Sequence, residues 1–390
     1  MRVIHTADTH LGSAGFGLGR LVDDPVRSGV MVRQRQLDVH NGFVAAIDAC
    51  IAAKAELFVH SGDLFDSARP PAFALDFAMS QLRRLTAAGT VVVIVEGNHS
   101  YPRDPALGHA LQILGHLNDV FVAYDEPRIF KLLGATIHAY PHRAISHGAW
   151  PSPGETGGGL NFLIAHGVAD GQLFFRGDRP APQLAVGDVA NDFLYVALGH
   201  YHRHTQVPNT GNAFYAGASA MVTWGDFRAG DRFSVTLVDP TSEQMVTPVE
   251  LPTRTMRAYG LDDASGLSRR DVLNLLAAQE RELRAGEANC RIKVEGLDPL
   301  IRRELNLRDI EEIFGDATAL DISLRAREQR WEAVQAGLAE GGQLGDRFGQ
   351  LVGQLDADAS FRQEVQQLGE KSLDQAAEQL SDVDAEDAGR

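Results

Sequence analysis

Five short apolar runs with a common ending constrain this chain more than any other feature of its sequence. "RVIHTAD" (2–8), "ELFVHSGD" (56–63), "TVVVIVEGN" (90–98), "NFLIAHG" (161–167) and "FLYVALGH" (193–200) are all rich in β-formers, and each carries Asp, Asn or His at its end. Runs of this length and composition read as buried strands. Helix-patterned stretches, roughly Met31 to Lys54 and Pro71 to Ala88, separate the first three. The second opens on prolines, where a missing N–H is tolerated. Strand, helix, strand, helix, strand implies parallel pairing with right-handed crossovers. Functional side chains of such sheets collect at the carboxyl ends of the strands. Here every strand delivers its polar residues there.

Taken in order, the strand ends carry Asp8 and His10, Asp63 and Asp66, Asn98 and His99, His166, and finally His200 and His202. Asp8, His10, Asp63, Asn98, His166, His200 and His202 are potential nitrogen or oxygen ligands for metal ions. Residues two apart in extended chain point the same way, so Asp8 with His10, and His200 with His202, can reach one site. Asp63 is the carboxylate best placed to bridge two cations. Two divalent ions against two ligand carboxylates leave a positive surplus, which a hydroxide and a phosphodiester anion would neutralise. Such a pair, about 3.5–4 Å apart, suits in-line attack on phosphorus. Imidazole, carboxylate and amide donors without sulfur fit two Mn(II) ions best, with Fe or Zn also compatible. His99, next to a ligand but not itself one, is the candidate proton donor to the leaving alkoxide.

The motifs "IHTADTHLG", "SGDLFDSARPP", "VEGNHS", "YVALGHYHRH" and "FYAGASAMVTWGDF…FSVTLVD" resemble those of the calcineurin-like metallophosphoesterases, and within them the SbcD-type DNA double-strand-break nucleases. The resemblance spans about residues 1–240. It implies an α/β fold, a layered β-sheet core flanked by helices, with a small α+β capping domain and C-terminal helices. On this chain the family scheme puts Asp8, His10, Asp63 and His202 on one ion, and Asp63, Asn98, His166 and His200 on the other, with His99 catalytic. It implies 3′ to 5′ exonuclease action on duplex DNA ends, endonuclease action on single strands and hairpins, an SbcC-type coiled-coil ATPase as partner, and a homodimer. The family usually continues "GNH" with an acidic residue. Here Ser100 stands there, a weaker orienting partner for His99. Position 66 varies in the broader family, which makes Asp66 a supporting residue beside the site rather than a ligand.

The organisation expected is a nuclease domain over 1–252, an α+β cap that contacts DNA over 253–330, amphipathic helices over 331–381 that bind the ATPase, and an acidic tail over 382–390. Leu344, Phe348, Leu351 and Leu355 form one stripe of those helices. Phe361, Val365, Leu368, Ala376 and Leu380 form another, opened by a capping box of Ser360 and Gln363. From Trp331 onward 13 acidic residues face 4 basic ones, so −9 of the net charge of −16 lies there and the front of the chain is far less repulsive to DNA. Cys50 and Cys290 lack disulfide or zinc spacing. No apolar run approaches the roughly 18 residues of a membrane span, and the start carries no signal-peptide pattern. The expectation is a cytoplasmic protein with no membrane partner.

Other candidates favour ordinary roles. His5 and His60, inside strands, are expected to pack or hydrogen-bond near the site. The glycine-rich "GSAGFGLGR" lacks the Lys-Ser/Thr ending of a phosphate loop and reads as a flexible loop at the cleft mouth. Arg20, Arg27, Arg33 and Arg35 are solvated or touch phosphate. His138, His142 and His147 have no ligand-like spacing. Trp224 and Phe227 are expected to pack in the core. His204, third in "HYHRH", is expected to be exposed or to face substrate. Two competing readings remain at this stage: a phosphodiesterase or phosphatase of the same fold acting on a nucleotide or lipid, and a non-catalytic scaffold. The cap and the C-terminal helices favour the nuclease over the first, and the complete ligand set argues against the second.

Overall fold

A computed structural model describes residues 1–13, 19–25, 27–102, 108–154, 156, 159–169, 183–224 and 232–327, with 352, 363 and 365–369. Residues 1–326 form one compact unit and 327–390 a second. The elements of the first half are β1 (Val3–Thr6), β2 (Leu21–Asp23), β3 (Met31–Arg33), α1 (Gln34–Ala53), β4 (Leu57–Ser61), α2 (Ala72–Ala87), β5 (Val91–Val95), α3 (Ala110–Leu114), β6 (Val120–Ala123), β7 (Arg128–Leu132), β8 (Ala135–Tyr140) and α4 (His142–Ser146). There follow β9 (Leu160–His166), β10 (Val168–Ala169), β11 (Gln183–Leu184), α5 (Val186–Val189), β12 (Tyr195–Gly199), β13 (Thr205–Gln206), β14 (Ala213–Tyr215), β15 (Ser234–Val238) and β16 (Val246–Glu250).

These strands build two six-stranded sheets, in the orders β16-β15-β1-β4-β5-β6 and β13-β14-β12-β9-β8-β7. β1, β4, β5 and β6 run parallel, as do β8, β9, β12 and β14. The parallel pairing expected from the strand and helix order is therefore present, as is the layered α/β architecture that the resemblance implied. Alternation along each strand explains the layers. Ile4, Phe58, Val92 and Ile94 point outward and pack with Phe43, Ile47, Ala74 and Leu82 of α1 and α2. Val3, Leu57, Val59 and Val93 point inward and meet Phe162, Ile164, Tyr195 and Ala197 of the second sheet. Both faces are covered, which is why the runs carry no polar alternation.

The expected helix over Met31–Lys54 begins only at Gln34. Residues 31–33 pair antiparallel with 21–23, Val22 opposite Val32, and Val32 is buried while its neighbours face out. This two-residue alternation favours strand over helix. α1 ends at Lys54 in the left-handed region, its N–H bonded to Cys50 and Ile51 carbonyls.

A smaller sheet follows, β17 (Met256–Leu261), β18 (Asn289–Leu297) and β19 (Ala319–Ala326), all parallel, with α6 (Arg269–Leu283), α7 (Pro299–Glu304) and α8 (Leu307–Phe314). Its core gathers Val272, Leu276, Ile292, Val294, Ile310 and Phe314. Capping boxes at Ser268 with Asp271 and at Asn306 with Asp309 start α6 and α8, and Asp298 followed by Pro299 starts α7. The Arg254 guanidinium holds Asp38 of α1 at 2.8 and 3.1 Å and the Glu287 carbonyl at 2.9 Å. Arg20 N–H donates to the Ala317 carbonyl at 2.8 Å, so the far end of the glycine-rich stretch is tied to this smaller sheet. Trp224 is 8% exposed, among Met221, Phe233 and Met256. Phe227, Ser360 and nearly all of the two C-terminal stripes lie outside the described residues; Leu368 is exposed. Among the described residues no helix is long and apolar enough to cross a membrane.

Candidate metal centre

All seven ligand candidates come together where β1, β4, β5, β9 and β12 end. Asp8, His10 and His202 place donor atoms within 4.8 Å of one another, and so do Asp8, Asp63 and His166. Asp63 Oδ2 is 3.3 Å from His166 Nε2 and 3.9 Å from His10 Nε2, which sets it between the two groups. Asn98 Oδ1 lies 2.9 Å from His166 Nε2 and 3.2 Å from His200 Nδ1. The first sheet supplies Asp8, His10, Asp63 and Asn98; the second supplies His166, His200 and His202.

The backbone bends sharply to achieve this. Asp8, His10, Asp63 and His200 have φ of 51°, 53°, 55° and 109°, left-handed conformations costing about 1 kcal/mol or more each for residues with a Cβ. Backbone hydrogen bonds hold the turns: Asp8 N–H to Gly62, His10 N–H to Asp63, Leu11 N–H to Leu64. A Cβ at Gly97 would lie 2.2 Å from Asp63 Oδ1, so only glycine lets the β5 turn pass this carboxylate.

Asp8 and Asp63 are buried, at 0% and 2% exposure, and among the described residues only histidines pair with them. Burial raises the Asp8 carboxyl. Burial pushes Asp63 the same way, but His166 overcomes it and holds Asp63 well below the usual range. Burial likewise opposes charge on His166, yet Asp63 and Asp8 raise it to about 9. His200 is pushed down to about 3 by burial and by His166. A buried proton on His166 thus neutralises carboxylates that would otherwise lack a counter-charge.

The donor atoms fit a divalent cation. His10 Nδ1 is 3.2 Å from Asp66 Oδ1, while His10 Nε2 is buried with no hydrogen-bond partner among the described residues. His166 Nδ1 donates to the Ser61 carbonyl at 2.9 Å, which keeps one proton on Nδ1, so that Nε2 is the nitrogen that offers a lone pair once a cation displaces the proton it carries beside Asp63. Two buried carboxylates, an amide oxygen and imidazole lone pairs form a nitrogen and oxygen set suited to transition ions.

His99 lies beside this group. Its N–H donates to Asp63 Oδ1 at 2.9 Å, its ring meets His10 edge-on at 4.6 Å, and its Nδ1–H donates to the Asp66 carbonyl at 2.9 Å. The orienting partner of His99 is thus the main chain of Asp66. Ser100 is 2% exposed and its hydroxyl has no hydrogen-bond partner among the described residues, so its burial takes it out of that role.

Of the other histidines, His5 and His60 take their expected places and His204 does not. His5 and His60 are fully buried, bonded to Tyr195 and Ser61, and to Thr9. His204 is half-buried, stacked on Phe214 and 3.1 Å from Thr236 Oγ1, rather than exposed or facing substrate. The strand β13 that follows it folds back on β14, which draws it inward. His142, which spacing passed over, has Nδ1 3.3 Å from the His166 carbonyl. Glu96 was also missed. It is fully buried, accepts from Asp125 N–H at 2.8 Å, and its carbonyl accepts from His142 N–H. An acid closing an otherwise apolar strand was the available signal.

Comparison with known proteins follows the same lines. The family model for calcineurin-like phosphoesterases matches residues 1–228. A DNA double-strand break repair protein Mre11 of Methanococcus maripaludis is 26% identical over 231 residues, 57% of this chain and 58% of the relative. The SbcD component of nuclease SbcCD of Bacillus subtilis is 26% identical over 280 residues, 61% and 66% of the two chains. The chain spans about half to two thirds of the length of the curated relatives it matches. A solved Thermus thermophilus structure, TT1561, aligns at TM-score 0.37 and 10% identity over 64% of this chain and 98% of that one, too distant to add to the family match.

Proposed function

The chain belongs to the calcineurin-like phosphoesterases, and from that premise we propose that it is a Mn(II)-dependent nuclease that trims duplex DNA ends 3′ to 5′ and cuts single strands and hairpins. The observation that carries this reading is the cluster of seven donors around Asp63, with His99 at its edge. Asp8, His10, Asp63 and His202 would hold one ion, and Asp63, Asn98, His166 and His200 the other. Bound ions of this kind supply Lewis acidity toward phosphoryl oxygens and a nucleophile at neutral pH. Because the His99 Nδ1 proton is committed to the Asp66 carbonyl, Nε2 is the atom that gives a proton to the leaving oxygen. The proposed partner is an SbcC-type ATPase gripped by residues 331–381, in the manner of a helix in a groove.

The deciding experiment incubates the purified chain with Mn(II) and an end-labelled linear duplex, with and without ATP and a coiled-coil ATPase. Progressive loss of the 3′ strand supports the reading. No degradation in any combination, beside clear hydrolysis of a small phosphodiester, moves the assignment to a small-molecule enzyme.

Two variants probe the ligand set. His202→Ala should bind about half of the wild-type Mn(II) complement, since three donors remain on its ion and four on the other; an undiminished count removes His202 from the set. Asp66→Ala frees His10 to turn and should weaken Mn(II) binding about 10–100-fold, with Asp66→Asn retaining most of the affinity through its remaining Oδ1. Equal affinities in all three proteins, read by calorimetric titration, would show that Asp66 does not orient His10.

A further inference from the structure

The inner faces of the two sheets change character along their length. Alternation puts Val3 and His5 of β1, Leu57, Val59 and Ser61 of β4, and Val238 and Thr236 of β15 on the face that meets the second sheet. The apolar members lie in the core between the sheets. The polar members lie toward the donor cluster, His5 directly across from Thr236 and Ser61 two residues before Asp63.

These polar side chains form one hydrogen-bonded chain that crosses the sandwich. His5 Nε2 is 2.7 Å from Ser61 Oγ, and His5 Nδ1 is 2.9 Å from the hydroxyl of Tyr195 on β12. Thr236, which interacts with that hydroxyl, has its Oγ1 3.1 Å from His204 Nδ1. His5, Ser61 and Thr236 are at 0% exposure and Tyr195 at 1%. Both ends touch the donor-bearing backbone. The Ser61 carbonyl accepts the hydrogen bond from His166 Nδ1–H, and His204 sits two residues past His202, its ring flat against Phe214.

Burying this many polar groups is costly unless each is satisfied. Both nitrogens of His5 are satisfied, and so are the hydroxyls on either side of it. A complete network in a low-dielectric interior admits one spacing between its members, which an apolar contact does not enforce. Spacing is what the donor cluster needs, because each proposed ion takes ligands from both sheets. We propose that the chain Ser61–His5–Tyr195–Thr236–His204 is a positioning element, which sets the separation of the two sheets at the height of the metal centre. The third histidine of "HYHRH" is its anchor on the second sheet. The inference rests on the metal reading above.

The test is a titration of the full-length chain with Mn(II), following the signal of the free ion by electron paramagnetic resonance. Three proteins are compared: wild type, Tyr195→Phe, which deletes only the bridging hydroxyl, and Val3→Ala, which weakens the same interface in its apolar part. Urea midpoints show that both variants fold and how far each is destabilised. Tyr195→Phe should bind Mn(II) about tenfold more weakly, with Val3→Ala unchanged. Wild-type affinity in Tyr195→Phe, or an equal loss in Val3→Ala, overturns the positioning role and leaves the metal reading standing. A wild type that takes up no Mn(II) removes the metal reading, and this inference with it.

Discussion

Replacing His99 by alanine should leave the Mn(II) complement at its wild-type value and lower turnover on a labelled duplex about 10²–10⁴-fold, the usual contribution of a positioned acid. The separation of effects follows from geometry. Asp63 loses nothing but a neighbour, since its bond from residue 99 comes from the main-chain N–H and survives the substitution. His10 keeps Asp66 on Nδ1 and loses only an edge contact. What disappears is the imidazole whose Nδ1–H is fixed on the Asp66 carbonyl. A parallel loss of bound metal would recast His99 as a ligand. Turnover at the wild-type rate would strike it from the chemistry.

Gly199→Ala should destabilise the fold by about 3 kcal/mol or more, at the upper end for an overpacked site, and abolish tight metal binding with it. The new Cβ would stand 2.0 Å from the Ser61 carbonyl oxygen, 2.8 Å from His166 Nδ1 and 3.0 Å from Ala7 Cβ. Two of these are backbone or donor atoms without room to retreat. Moving Ser61 would break the bond that orients His166, and moving β12 would carry His200 away from Asp8, whose carboxylate it contacts through its N–H at 3.1 Å. Denaturant unfolding of the metal-free protein measures the first effect, and Mn(II) titration the second. A variant as stable as wild type would mean that the two sheets can part locally at no cost.

The residues at the strand ends were legible because burial and chemistry leave a local mark: an apolar run ending in Asp, Asn or His needs no knowledge of its neighbours. The parallel core of the first sheet followed from the helices between its strands. What escaped depended on distant partners. Met31 to Arg33 became strand only because residues 21–23 lie beside them. His204 acquires its place from Thr236 and Phe214, neither of which its own surroundings in sequence suggest. Ser100 suggests itself as a partner of His99 because it is next in the chain, whereas the atom that holds the ring is a main-chain carbonyl 33 positions away. Backbone acceptors are carried by every residue, so no sequence pattern could have singled out that one.

The division of donors between two sheets also has a kinetic meaning. Asp8 meets the His200 N–H across 192 positions of chain, and His166 meets the Ser61 carbonyl across 105. Contacts of such sequence separation carry a large loop-closure cost and form late in folding. A chain emerging from the ribosome therefore exposes Asp8, His10 and Asp63 long before His200 and His202 exist to complete the set. An ion held by donors from both sheets would stabilise only the state in which the second sheet has closed on the first.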